Sequence, residues 1–524
     1  MTSIPPDVLV LGGPVHAVVG REPVSALLLR GGRVIVAGSE AEARAAARPA
    51  ARSEPLDGAT VTPGLVDAHI HPVSWALARR RVELSGARTL DAGLRLLAGA
   101  ASGDGWLRGG GWSMQRWGGF PGRGALDAAV PERPAVLDSA DLHAFWVNSR
   151  ALERCGIGRD TPDPPGGRIV RDAAGEPTGV LLEDAKRLVE PHLPEPDSAE
   201  VDGALRDAQA QLHRWGVTGM HSVEADGLGT LSRFHEEGKL RLRVLQTIPL
   251  PRLEAATEVG LRSGFGGDFL RIGGVKMFLD GTLGSRTALL REPYEGFDRD
   301  CGTELLTPAD FREAVESAAA AGLAATVHAI GDAAVARALE TLAAVPPPAA
   351  LPHRIEHLQL CPPELWDAAA AAGIVASLQP VHLRTDIRPA GEAWGSERGR
   401  GAYAFAPLAR AGTTLAFGSD APVETPDPRE GCFAAVRRIP RDQPSAAEWF
   451  PENALSAAEA LRAYTEGPAR AAGLAGRTGK LLPGCDADLV AWDRDPLRCP
   501  PEELLEMRCL LTLVAGEAVY REGD

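Results

Sequence analysis

The sequence predicts an α/β chain: a (β/α)8 TIM barrel joined to a small composite β-sandwich domain built from both termini. Three observations carry that prediction. Apolar β-like runs alternate with helical segments through the middle of the chain, the pattern of parallel strands linked by crossover helices. The two ends instead hold short β-like runs and turns, and neither is large enough to enclose a core alone. Several middle strands end in histidine or aspartate, and a barrel of this type gathers its chemistry where its strands end.

Taken in order, residues 1–60 form the first part of the sandwich, with DVLVLGG, SALLLRGGRVIVAG and a short helix at AEARAAAR. Residues 61–470 form the barrel domain, with insertions at 75–133 and 150–210 that should cover one end. Residues 471–524 complete the sandwich through GKLLPGCDADLVAWD and LLTLVAGEAVYREG. Eight runs are candidate barrel strands: GLVDAHIH (64–71), PAVLDSAD (134–141), GVTGMHSVE (216–224), RIGGVKMFLDG (271–281), LAATVHAIGD (323–332), HRIEHLQL (353–360), GIVASLQP (373–380) and TLAFGSDAP (414–422). Alanine-rich helical segments at 308–322, 332–345 and 363–372 follow several of them.

With 524 residues and 44% hydrophobic content, the chain can bury a large core. A net charge of −15, with arginines scattered among acids, argues against nucleic acid or an anionic membrane as partner and favours a small-molecule substrate. No apolar run approaches the roughly eighteen residues that span a bilayer, and the first residues lack the marks of a signal peptide. Seven cysteines, odd in number and free of CxxC pairs, fit reduced thiols in a cytoplasm better than a disulfide framework. A homodimer is compatible with this architecture.

The chemistry lies at the strand ends. His69 and His71 form an HxH after the first strand, and strand twist lets both imidazoles reach one ion. His328 and His357 end the fifth and sixth candidate strands, and Asp420 closes the eighth. Each alone is a common structural residue, and the aspartate alone is a common helix cap. Together they suit zinc or a similar first-row ion with an open position for hydrolysis. Lys276 is one of only four lysines and sits in the apolar run GGVKMFLDG of the fourth strand. It either pairs with Asp280, snorkels outward, or serves as a neutral amine that adds carbon dioxide. The resulting carbamate can bridge two metals, which arginine cannot do.

The chain resembles the amidohydrolase superfamily of metal-dependent hydrolases, within it the YtcJ-like branch that includes N-substituted formamide deformylase. The matching pieces run from TPGLVDAHIHP through DLHAFWVNSRAL, GEPTGVLLEDA, VKMFLDGTLGSRTA, HAIGDAA, RIEHLQ, SLQPVH and AFGSDAPV to GKLLPGCDADLVAWD. The resemblance implies two divalent metal ions, zinc the first expectation. His69 and His71 would bind one, His328 and His357 the other, and N6-carboxylated Lys276 would bridge them. It also implies that Asp420 is both ligand and catalytic proton shuttle in the metal-dependent hydrolysis of a non-peptide C–N bond. His143, Trp146 and Asn148, with Gln379 and His382 and more weakly Arg286, are candidate substrate contacts. Five tryptophans (75, 106, 112, 117 and 146) fall in the first two connections and either line an apolar pocket or pack a core. An esterase, lactonase or deaminase on the same metals stays open, as does a regulatory protein with a vestigial site.

Overall fold

The structure, a computed structural model, describes residues 6–139, 144–165 and 167–523. Eight strands form one all-parallel sheet in chain order: β1 (Leu65–Ile70), β2 (Val217–Ser222), β3 (Arg243–Pro249), β4 (Leu270–Phe278), β5 (Ala325–Ala329), β6 (Arg354–His357), β7 (Val375–Leu378) and β8 (Thr414–Phe417). β5, β6 and β7 are buried at every position, as expected of strands covered on both faces. The ring is completed just beyond β8, where Asp420 N–H donates to His69 O at 2.7 Å and His71 N–H donates to Ala421 O at 2.9 Å. Only glycine fits at 418 in that seam, because an added Cβ would lie 2.3 Å from the His69 nitrogen.

Local chemistry sets the helices between strands. Thr307 Oγ1 accepts the Asp310 N–H at 3.2 Å and Pro308 follows at the first helical position, so Pro308–Ala320 starts there. Gly322, at φ +78°, ends it and turns the chain into β5. The helix Asp332–Ala344 then buries Val335, Ala338, Leu339 and Leu342 along one face.

One of the eight expected barrel strands lies elsewhere, so the run GVTGMHSVE, expected third, is the second barrel strand β2. PAVLDSAD is a strand (Ala135–Ser139), but it belongs to a separate six-stranded sheet within the compact unit Trp75–Leu205. There it runs parallel to Leu107–Trp112 and antiparallel to Ala144–Val147. An apolar run ending in acidic residues looks the same in the parallel barrel and in this mixed sheet, so its partner was not legible. The run RVLQTIP, which ends in proline rather than a catalytic group, supplies β3. In the Trp75–Leu205 unit, Ala144 and Trp146 face one core with Trp112 and Leu126, while Phe145 and Val147 face another with Val136 and Leu181.

The termini do join. Leu489–Trp492 pairs antiparallel with Thr60–Pro63 inside one eight-stranded sheet drawn from residues 8–63 and 489–521. Val10, Leu27 and Val61 from the first segment share a core with Leu489 and Leu513 from the last. Arg243, at the start of β3, fastens this sheet to the barrel through Asp488, with Nη2 to Oδ1 at 3.0 Å. All seven cysteines are free thiols, and among the described residues no helix is long and apolar enough to cross a membrane.

Candidate metal centre

In the middle of β1, Asp67 is buried and accepts three hydrogen bonds: from His69 N at 3.1 Å, Ser419 N at 3.1 Å and Ser419 Oγ at 2.6 Å. Burial pushes its carboxyl up to about 6 despite these donors. The clamp holds the end of β1 against the turn after β8, where Asp420 takes a left-handed φ of +59°. Asp420 Oδ1 thereby comes within 3.3 Å of both His69 Nε2 and His71 Nε2. Ligand atoms of His69, His71 and Asp420 all lie within 4.8 Å of one another. Burial alone would raise Asp420, but the two imidazoles hold it well below the usual carboxylate range.

His69 Nδ1 meets Glu356 Oε2 in a buried contact, which leaves Nε2 as the atom that faces Asp420. Burial opposes charge on His69, yet the Glu356 and Asp420 carboxylates raise it above its ordinary value. Glu356 stands on β6 one position before His357, and regular alternation would send the two to opposite faces. A turn intervenes: His357 has φ +69°, and Leu358 N–H donates to Glu356 O at 2.9 Å across it. Such a backbone costs about 1–3 kcal/mol and persists where surrounding structure enforces it, as at functional sites. The His357 ring lies 4.9 Å from that of His69 and 4.5 Å from that of His328.

His328, on β5, directs Nε2 to Gly281 O at 3.0 Å. Burial, then the Lys276 ammonium, lower it to about 3, and burial with the His328 and His69 rings lowers His357 well below its ordinary value. Both are therefore neutral imidazoles with a lone pair to give, the form that binds a metal. Lys276 is 5% exposed, and its Nζ finds no hydrogen-bond partner among the described residues. Burial lowers its pKa to about 8 against the pull of Glu356 and Asp420. The pairing with Asp280 does not form. That carboxylate instead accepts Leu289 N at 2.8 Å, Ile330 N at 3.1 Å and Gly331 N at 2.8 Å. Neutral imidazoles and an ionised carboxylate are a donor set that fits divalent first-row ions, and a buried lysine with no hydrogen-bond partner among the described residues can join them once its amine is neutral.

The candidate substrate contacts fall into different surroundings. His382 lies beside the cluster, with Nε2 3.2 Å from Ser419 O and 4.0 Å from Asp420 Oδ2. Gln379 is buried, and its amide donates to Ser377 O at 3.3 Å. Arg286 is exposed, with its guanidinium 4.9 Å above the Phe297 ring. Trp146 is a fully buried core residue of the Trp75–Leu205 unit, edge-on to Trp112 and Trp117, so those tryptophans pack a core. Asn148 caps the helix Ser149–Arg154. Its Oδ1 accepts Ala135 N and Ala151 N, and its Nδ2 donates to Val130 O and Arg133 O, which uses its whole bonding capacity. His143 lies outside the described residues. Sequence reasoning missed Asp67, Ser419, Arg354 and Glu356. The signal for the last two was an alternating charged pair inside an interior strand, RIEH.

Comparison with known proteins identifies the family of the chain. A model described as "Amidohydrolase family" matches residues 55–520. The chain is 32% identical to the protein YtcJ of Bacillus subtilis strain 168, covering 89% of this chain and 90% of the relative. It is 30% identical to N-substituted formamide deformylase of Arthrobacter pascens, covering 98% of each. An uncharacterized metal-dependent hydrolase from Pyrococcus furiosus superposes with a TM-score of 0.79 at 28% identity, covering 94% of this chain and 100% of that one.

Proposed function

Because the chain belongs to the amidohydrolase family, we propose that it hydrolyses a non-peptide C–N bond of the amide or formamide kind at a centre of two divalent ions, zinc being the expected metal. In this reading His69 and His71 would hold one ion and His328 and His357 the other, with N6-carboxylated Lys276 as a ligand they would share. Asp420 is both ligand and proton shuttle. The observation that carries the reading is the convergence of His69, His71 and Asp420 within 4.8 Å, with the buried Lys276 Nζ finding no hydrogen-bond partner among the described residues. The deformylase relative favours an amide C–N bond over an ester or the exocyclic C–N bond of an aminoheterocycle.

Divalent ions held there would polarise the substrate carbonyl and lower the pKa of water towards ~7. The rest falls to the protein. Asp420, held as a carboxylate by His69 and His71, takes the water's proton on Oδ as the water oxygen bonds to the carbonyl carbon. It then passes that proton to the departing nitrogen as the C–N bond breaks, so a carboxylic acid and an amine leave. Glu356 keeps the His69 Nδ1 edge occupied, so that ring offers only Nε2 to the centre.

Metal analysis of the purified protein, followed by assay on formanilides, esters and aminoheterocycles with and without chelator, tests the proposal. The expected result is about two metal equivalents per chain and chelator-sensitive release of amine from the formanilides. A folded protein that takes up no metal, or that turns over only the esters or aminoheterocycles, would overturn it.

A further inference from the structure

We propose that Arg354 and Glu356 are positioning residues for the metal centre, forming an ionic floor inside the barrel that fixes His69. The proposal rests on the metal reading above. Arg354 and Glu356 alternate on β6 and both point inward, 3% and 0% exposed. Glu356 Oε2 holds His69 Nδ1, while Arg354 engages both oxygens of the same carboxylate, with Nη2 to Oε2 at 3.0 Å. The guanidinium then spreads to three other strands. Its Nη2 donates to Ala68 O on β1 at 2.5 Å and Ser377 Oγ on β7 at 2.7 Å, and its Nη1 donates to His221 Nδ1 on β2 at 2.9 Å. As an acceptor at Nδ1, His221 is the neutral Nε2–H tautomer.

One planar group therefore ties β1, β2, β6 and β7 together directly behind His69, including the carbonyl of the residue that precedes it. A buried ion pair is seldom a gain in stability over an apolar pair of similar volume. Five donor contacts converging on the residues behind one metal ligand are instead explained by orientation. A carboxylate on the far nitrogen of a ligating imidazole fixes its tautomer and ring plane.

The test compares wild type with Glu356→Gln, Arg354→Met and the double variant, which leaves no buried charge unpaired should a single variant fail to fold. Zinc affinity is read by competition with a chromogenic chelator, and folding by circular dichroism and melting of the metal-free proteins. Metal-free melting of the double variant should stay close to wild type, while its zinc affinity falls about ten- to a hundredfold. Arg354→Met should weaken affinity in the wild-type background and add little once Glu356 is Gln, because it acts through that carboxylate. Wild-type zinc affinity in a folded Glu356→Gln or double variant would overturn the floor and leave the functional proposal standing. Absence of zinc uptake by wild type itself would overturn both.

Discussion

In the proposed function Asp420 would serve with one carboxylate as both ligand and proton shuttle, and its position between two imidazoles is compatible with both. Its Oδ1 lies equally far from two imidazole nitrogens, while Oδ2 faces the His382 side of the cleft. Replacing it with Asn keeps the shape and one acceptor oxygen but removes the group that can accept a proton. Asp420→Asn should retain much of the metal and lower kcat by about 10²–10⁴-fold, the usual worth of a general acid–base group. Unchanged kcat in a metal-loaded variant would remove the shuttle role. Lys276 makes a different demand. Lys276→Arg should lose the second metal, whereas Lys276→Ala should regain part of it with a short carboxylic acid, which stands in for the carbamate. Equal metal content in wild type and Lys276→Arg would sink the bridging role. Both candidates could be picked out because each lies in or just beyond a strand that can be read locally. Arg354 could not, because its partners Ala68 and His221 lie 286 and 133 positions away and only the closed barrel brings them near.

At the scale of elements, seven of the eight barrel strands were readable from the sequence: β2, read at 216–224, and those that carry or border a candidate site residue. β1 and β4 through β8 carry or border such residues, and their positions follow from the sequence. β3 has a buried apolar run with nothing catalytic at its end, and Ala135–Ser139 has the right local pattern in the wrong sheet. Strand partnership is long-range information that period and composition do not contain. The terminal sheet shows how a single residue can join elements. Asp7 accepts Arg30 Nε at 2.9 Å, Arg30 Nη2 at 2.7 Å and the Arg48 N–H at 2.8 Å, so it links the strand Val24–Arg30 to the chain after helix Glu40–Ala46. The Arg30 hydrogen bonds, then the Arg48 backbone, hold its carboxyl down at about 2. A depressed folded-state pKa contributes stability that is complete above the unfolded value of about 3.9 and is lost as pH falls towards about 2. Urea unfolding of wild type and Asp7→Asn should therefore differ fully at pH 5–7 and progressively less below about pH 4. A gap that stays constant from pH 6 down to about pH 3 would show that the Asp7 charge contributes nothing.

At the scale of the molecule, every residue of the candidate centre lies in the unit formed by residues 1–74 and 206–524, while Trp75–Leu205 has its own sheet and cores. Metal that binds only the folded state adds stability by mass action, ~4 kcal/mol when free metal exceeds its dissociation constant a thousandfold. Chelation should lower the melting temperature of the metal-loaded protein by roughly 5–10 °C, given the few degrees per kcal/mol of a domain this large. Where that loss falls is the more discriminating question. The centre joins β1, β4, β5, β6 and the turn after β8, so losing metal loosens strand ends otherwise held by Asp67, Glu356 and Arg354. Hydrogen exchange read by peptide should accelerate after chelation across Leu65–Ile70, Ala325–Ala329, Arg354–His357 and the segment 414–422. Peptides covering Ala135–Ser139 and Pro177–Glu183, whose ladders lie in the other unit, should exchange at the metal-loaded rate. Equal acceleration in both sets would mean that the metal stabilises the chain as one cooperative block, and no acceleration in either would mean that these strand ends are not where it binds.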